Sequence, residues 1–183
     1  MTDREIPKIY LAPSEIRMAG SAGNGRQEAA IQRSLDHEVK GTAGARQVHG
    51  WGNNAHGVAC EMALSKHLNV YYLPQNTDKG DVGPYQVRGT DHYRGGLILR
   101  PGTDEDYKQS PFVLVAGPLP FLEVMGWMWG HEAMKPQWFG DHNNRNSPCW
   151  TVPWKLTHDL TTLPHWNCLG EVKPKKERGT TWN

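Results

Sequence analysis

Two acids, an amide and a guanidinium lie near enough in the chain to share one task. Glu61 is the single charge in the first half of an otherwise small and apolar stretch at 56–68, HGVACEMALSKHL. Burying a carboxylate without a partner is costly, so Glu61 is expected to face a site or a cation. About twenty residues on, a Gly-Asp-Val-Gly turn presents Asp81, and the run Tyr85-Gln86-Val87-Arg88 follows. In a strand, side chains two apart point the same way, which would put Gln86 and Arg88 on one face. Two carboxylates and an amide oxygen are hard ligands suited to Mg²⁺, or Mn²⁺, and not to a soft metal. Such an ion polarises a phosphodiester and lowers the pKa of an attacking water. Glu61 and Asp81 would hold the metal directly and Gln86 would add a third oxygen. Arg88 would contact the scissile phosphate and stabilise the charge that develops there.

The elements that must position these residues follow from periodicity. Residues 26–40 (RQEAAIQRSLDHEVK) have good helix formers and an apolar face at Ala30, Ile31, Leu35 and Val39, and predict a helix. Residues 57–68 predict a second, strongly buried one, with Val58, Met62 and Leu68 on its face. The small residues at 20–25 read as a break, and 41–57, rich in Gly, Ala, Asn and His, as a loop. Before them, Ser14 could start one helical turn as an N-cap. From residue 80 the pattern becomes that of strands: after Pro84, then 97–100, 112–116 and 121–129, with an acidic turn at 103–106 between. A short helical turn is expected at 131–135 and a polar loop at 141–148. Residues 150–156 would return as an edge strand, where Pro153 is tolerable. Helices followed by a strand meander predict an α/β fold, a mixed four- or five-stranded sheet flanked by the helices.

Bulk properties narrow the classes. The 183 residues give room for one hydrophobic core and little more. Hydrophobic residues make up 37% and the mean hydropathy is −0.68, with no apolar run near the length of about 20 that a spanning helix needs. The N-terminus has no uninterrupted apolar stretch and does not read as a signal peptide, so a cytoplasmic protein without membrane contact is expected. Cys60, Cys149 and Cys168 form no CxxC pair, which argues against a zinc finger or a disulfide framework. Lys plus Arg number 20 against 19 acids, so nucleic-acid contact would have to come from local patches. The one basic cluster of note is 173–178, in a charged tail, 173–183, expected to be disordered.

The order GVACEMALSKHL, KGDVG, QVR resembles the PD-(D/E)XK nuclease superfamily, in which a helix acid precedes a hairpin Asp and an acid-X-Lys strand. The wider run DVGPYQVRGT, GGLILRP, PFVLVAG, FLEVMGWMWG and EAMK also resembles small phage-encoded proteins of unassigned role with this core. The likeness spans about 55–156 within one domain of 1–172. It implies a restriction-endonuclease-like core, a metal-dependent nuclease acting on DNA in the host cell, and room for a homodimer that cuts both strands. Gln86 stands where the second acid would be, and Arg88 where Lys would be. Arginine does not readily give up its proton to act as a base. The alternative is therefore a catalytically inactive nuclease-like module that binds nucleic acid or a host protein.

Plainer readings stand beside these. Glu61 could pair with Arg88 or Lys66, Asp81 could simply shape a turn, and Gln86 and Arg88 could be an exposed strand face. Asp141, His142, Asn146 and His158 faintly suggest an HNH nuclease without its hairpin-helix pattern. No GK[ST] phosphate loop or GxSxG elbow is present. Most of the eight tryptophans are expected in the core. On the site reading, Glu61→Ala should keep the fold and abolish metal-dependent activity.

Overall fold

In the computed structural model, residues 4–36, 43–74, 80–101, 105–141 and 148–165 are described. The tail at 173–183, most of the polar loop at 141–148 and the first half of the acidic turn at 103–106 lie outside them, and a short helix, α3, runs over Glu105–Lys108. Strand β1 (Lys8–Tyr10) leads into helix α1 (Pro13–Asp36), which is followed by α2 (Ala43–Leu68). Then come β2 (Gln86–Thr90), β3 (Leu97–Leu99), α3, β4 (Pro111–Ala116), β5 (Phe121–Trp129), α4 (Gly130–Ala133), β6 (Phe139–Gly140) and β7 (Cys149–Val152).

Two expectations about the helices are corrected. The break at 20–25 is helical, and so is 43–57. Local propensity disfavours glycine in a helix, but packing overrides it here. At Gly23, a Cβ would stand 2.5 Å from the Cα of Ala55, so the missing side chain is what lets α1 and α2 cross backbone to backbone. The helices run antiparallel. Lys66 Nζ donates to both carboxylate oxygens of Glu15 at 3.1 and 3.0 Å at one end, and Asn54 Nδ2 donates to Gln27 Oε1 at 2.7 Å towards the other. Glu15 also accepts the Ala12 N–H at 2.6 Å, which satisfies a free donor at the start of α1. Asn69, at φ 54°, ends α2, and the Val70 N–H returns to Ser65 O at 2.9 Å as in a Schellman cap.

The strands form two sheets, not one. The larger is mixed, in the order β1-β5-β4-β2, with β2 parallel to β4 and the other pairs antiparallel. The smaller is antiparallel, β3-β7-β6. The strand expected at an edge, β7, is therefore central, and Pro153 falls just past its end, where it costs the ladder no hydrogen bond. Alternation on β4 divides two cores. Val113 and Val115 join Val58, Ala59, Cys60 and Ala63 of α2, whereas Phe112, Leu114 and Ala116 join Leu97 and Leu99 of β3 and Val152 of β7. The larger sheet is thus sandwiched between the helix pair and the smaller sheet. Trp127 is buried, and Trp129, Trp138, Trp150 and Trp154 pack partly buried against one core or the other. Among the described residues, no helix is long and apolar enough to cross a membrane.

The contact of α2 with β2 is equally tight: a Cβ on Gly89 would lie 2.6 Å from Cys60 Sγ. Gly89→Ala is expected to destabilise the protein by about 1–3 kcal/mol, the usual cost of overpacking. Urea unfolding of Gly89→Ala, Cys60→Ala and the double variant checks this, since removing the sulfur should relieve much of the penalty and make the two changes less than additive.

Candidate functional site

Asp81 is placed by a tight hairpin. Val82 and Tyr85 bridge each other, the N–H groups of Asp81 and Val82 both reach Tyr85 O, and Gly83 takes the left-handed conformation, φ 57°, that the turn requires. The turn directs the Asp81 carboxylate back along β2, the edge strand of its sheet, where Oδ2 accepts the Val87 N–H at 2.7 Å. The same oxygen faces Arg88 Nη1 at 3.5 Å.

Along β2 the side chains alternate as the sequence pattern predicts. Val87 belongs to the helix-side core, and Gly89 abuts Cys60. Gln86 and Arg88, in register with Phe112 and Leu114, face the opposite core. Gln86 is buried, and the Arg88 guanidinium lies 5.0 Å over the Phe112 ring while Nη1 donates to Val87 O at 2.8 Å.

Glu61 approaches from the other side of the sheet, on α2. It is only 4% exposed, and its carboxylate is fully engaged. Arg26 of α1 grips it with both arms, Nη1 to Oε1 at 2.5 Å and Nη2 to Oε2 at 2.7 Å, and the Tyr72 hydroxyl donates to Oε2 at 2.8 Å. All three contacts donate, so the ionised carboxylate is the form this arrangement binds. Burial pushes the Glu61 carboxyl up from its ordinary value, and the negative charge of Asp81 adds to that, against the pull of Arg26 and Tyr72. Hydrogen bonding to Glu61 in turn holds the Arg26 proton more tightly. Burial, and then the charge of Glu61, raise Tyr72, and the same two causes push the Cys60 thiol up to about 12. Cys60 is therefore an inert core thiol.

Of the four residues singled out from the sequence, the structure brings Asp81 and Arg88 into an ion pair, and gives Gln86 the same face as Arg88. Glu61 stands near enough to Asp81 to feel its charge, yet its direct partners are Arg26 and Tyr72. The partners proposed for Glu61 are corrected: Lys66 pairs with Glu15, and Arg88 with Asp81. Arg26 and Tyr72 were not legible as partners. Arg26 lies 35 positions from Glu61 and heads what reads as an isolated helix, and the only hint is the small-residue run before it, which permits a close crossing. Among the described residues, no three His, Cys, Asp or Glu side chains gather as a metal cluster.

Comparison with known protein families, with characterised proteins and with solved structures finds no match to this chain.

The structure adds a stability cost to the expectation that Glu61→Ala keeps the fold, because the variant would strand a largely buried guanidinium. Glu61→Ala or Glu61→Gln is expected to cost about 3 kcal/mol, the low end for a broken buried pair, since the Arg26 side chain keeps 22% of its exposure. Replacing both partners, Arg26→Met with Glu61→Leu, should recover most of that in urea unfolding. Equal stability of the parent and the single variants would show that the pair carries no weight.

Proposed function

We propose that the chain is a restriction-endonuclease-like module that binds nucleic acid without cutting it. The observation that carries this reading is the occupation of both acids by arginine: Glu61 in the fork of Arg26, Asp81 against Arg88. A divalent ion at Glu61 and Asp81 would have to displace a guanidinium from a buried carboxylate and leave that guanidinium unpaired, which is strongly unfavourable. The element order supports the nuclease-like descent: a buried helix bearing Glu61, a hairpin bearing Asp81, then a strand bearing Gln86 and Arg88. Arg88 and Arg100, on β2 and just after β3, line one cleft and supply a local basic surface on a chain of near-neutral net charge. Such a surface contacts phosphates without a large overall surplus.

One observation favours a second reading, a Mg²⁺- or Mn²⁺-dependent nuclease with Glu61, Asp81 and Gln86 as ligands. The two acids are close enough for the charge of one to raise the other, so they form one acidic neighbourhood in which arginines take the place of a cation. In that case metal and substrate would draw Arg26 and Arg88 aside.

Anisotropy with single- and double-stranded DNA in EDTA, calorimetry with Mg²⁺ and with Mn²⁺, and a cleavage assay separate the two. The non-cutting module binds DNA equally with and without metal, and cleaves none. Its salt dependence should be shallow, with a slope of about −1 to −2 for some two phosphate contacts. Metal-dependent cleavage that disappears in Asp81→Ala would establish the nuclease instead, and absence of any DNA binding overturns both readings.

A further inference from the structure

A cleft of about 390 Å³ opens between the two sheets, on the face of β2 that carries Arg88. Its size falls within the range of small-molecule sites, roughly 300–1,000 Å³. It has two chemically different parts. Ile98 and Met134 line it with apolar surface, and Tyr107 of α3 adds a ring packed at 5.8 Å on that of the fully buried Phe112 beneath. Arg88 and Arg100 line it as well, one from β2 and one immediately after β3. Among the described residues, no carboxylate lines it.

The two cations are not equivalent. Arg88 is held in place by Val87 O, by the Phe112 ring and by Asp81, which takes up part of its charge. Arg100 is exposed and makes no ion pair among the described residues. Two guanidiniums beside an apolar, aromatic wall suit a ligand with a compact anion at one end and a flat apolar body at the other. Arginine forks match phosphate oxygens in pairs, and a nucleobase stacks on aromatic side chains.

We infer that this cleft is a binding site for one phosphate-bearing nucleotide, with its phosphate between Arg88 and Arg100 and its base against Tyr107, Ile98 and Met134. The nucleotide has two sources, a free monophosphate or the phosphorylated end of a nucleic-acid strand. The strand-end form rests on the nucleic-acid reading above, whereas the free form does not.

The test uses the full chain with thymidine, thymidine 5′-monophosphate, and an oligothymidylate carrying phosphate at its 5′ end, at its 3′ end or at neither. Binding is read by calorimetry and anisotropy for the parent, Arg100→Gln, Arg100→Lys and the distant control Arg17→Gln. End-phosphorylated oligonucleotide binding at least about tenfold tighter than the unphosphorylated one, with the advantage lost in Arg100→Gln, partly kept in Arg100→Lys and unchanged in Arg17→Gln, is the strand-end result. Thymidine monophosphate binding over thymidine by the same margin, with no oligonucleotide bound, supports the cleft with a free nucleotide and overturns the nucleic-acid reading. Oligonucleotides that bind equally whatever their ends, and equally to Arg100→Gln, overturn the cleft and leave that reading standing. Failure of every phosphorylated ligand to exceed its unphosphorylated counterpart overturns the inference outright.

Discussion

The fork of Arg26 on Glu61 joins the two long helices at the point where α2 is most deeply buried against the sheet, and it constrains everything around it. A guanidinium reaches a carboxylate on a neighbouring helix with both arms only if the helix axes are close. That closeness is supplied by Gly23 against Ala55. The pair is not free of cost: Arg26 Nε is buried without a partner among the described residues. Its retention beside Tyr72 fixes the register of α1 on α2, because sliding either helix by a residue would leave two buried charges apart. The Asn54–Gln27 bond, two turns before Glu61 on α2, pins the same register with neutral groups.

From that helix pair the layering of the molecule follows. β4 is buried along its whole length and lies second from the edge, with valines on the helix side and Phe112, Leu114 and Ala116 on the other. Because β2 runs parallel to β4 in register, the same alternation sends Val87 towards α2 and Arg88 away from it. The residues that sequence spacing groups into one site are therefore split by the plane of the sheet. Asp81 alone sits at the rim, in a turn at the end of β2, where its charge reaches Glu61, Arg26 and Arg88 together.

Much of this was legible in the sequence, and what was not has a physical reason. The runs PFVLVA and FLEVMGWMW read as strands because continuous apolar β-formers have few other homes. The alternation in YQVR gave the right faces for Gln86 and Arg88. The glycines at 20, 23 and 25 read as a break because intrinsic propensity is a local quantity, while the crossing that rewards a missing side chain is made with α2, some thirty residues away. The strands divided into two sheets for a similar reason. β3, Leu97–Leu99, pairs with β7, Cys149–Val152, far along the chain, and no spacing rule reports a partner so distant. The grouping of Glu61 with Asp81 and Gln86 was a matter of order along the chain, whereas direct partners are decided by side-chain reach. The long arm of Arg26 competes there in a way that order does not reveal.

Arginine at position 88 makes physical sense in this setting as a residue that lysine could not replace. Its planar head lies over the Phe112 ring, one nitrogen donates to Val87 O and faces Asp81, and the two remaining nitrogens form no hydrogen bond to a described residue. An ammonium is a point charge with a stronger hold on water; it would satisfy Asp81 or approach the ring, but would not span all three. Arginine does not readily give up its proton, while the fork keeps two nitrogens that bond to no described residue. A residue anchored by three contacts with donors to spare is suited to holding an anion and not to acting as a base. The carboxylate of Glu61 is likewise committed, to the fork of Arg26 and the Tyr72 hydroxyl. Both acids are thus occupied by guanidiniums, which leaves fixed donors and not free carboxylates to meet a ligand.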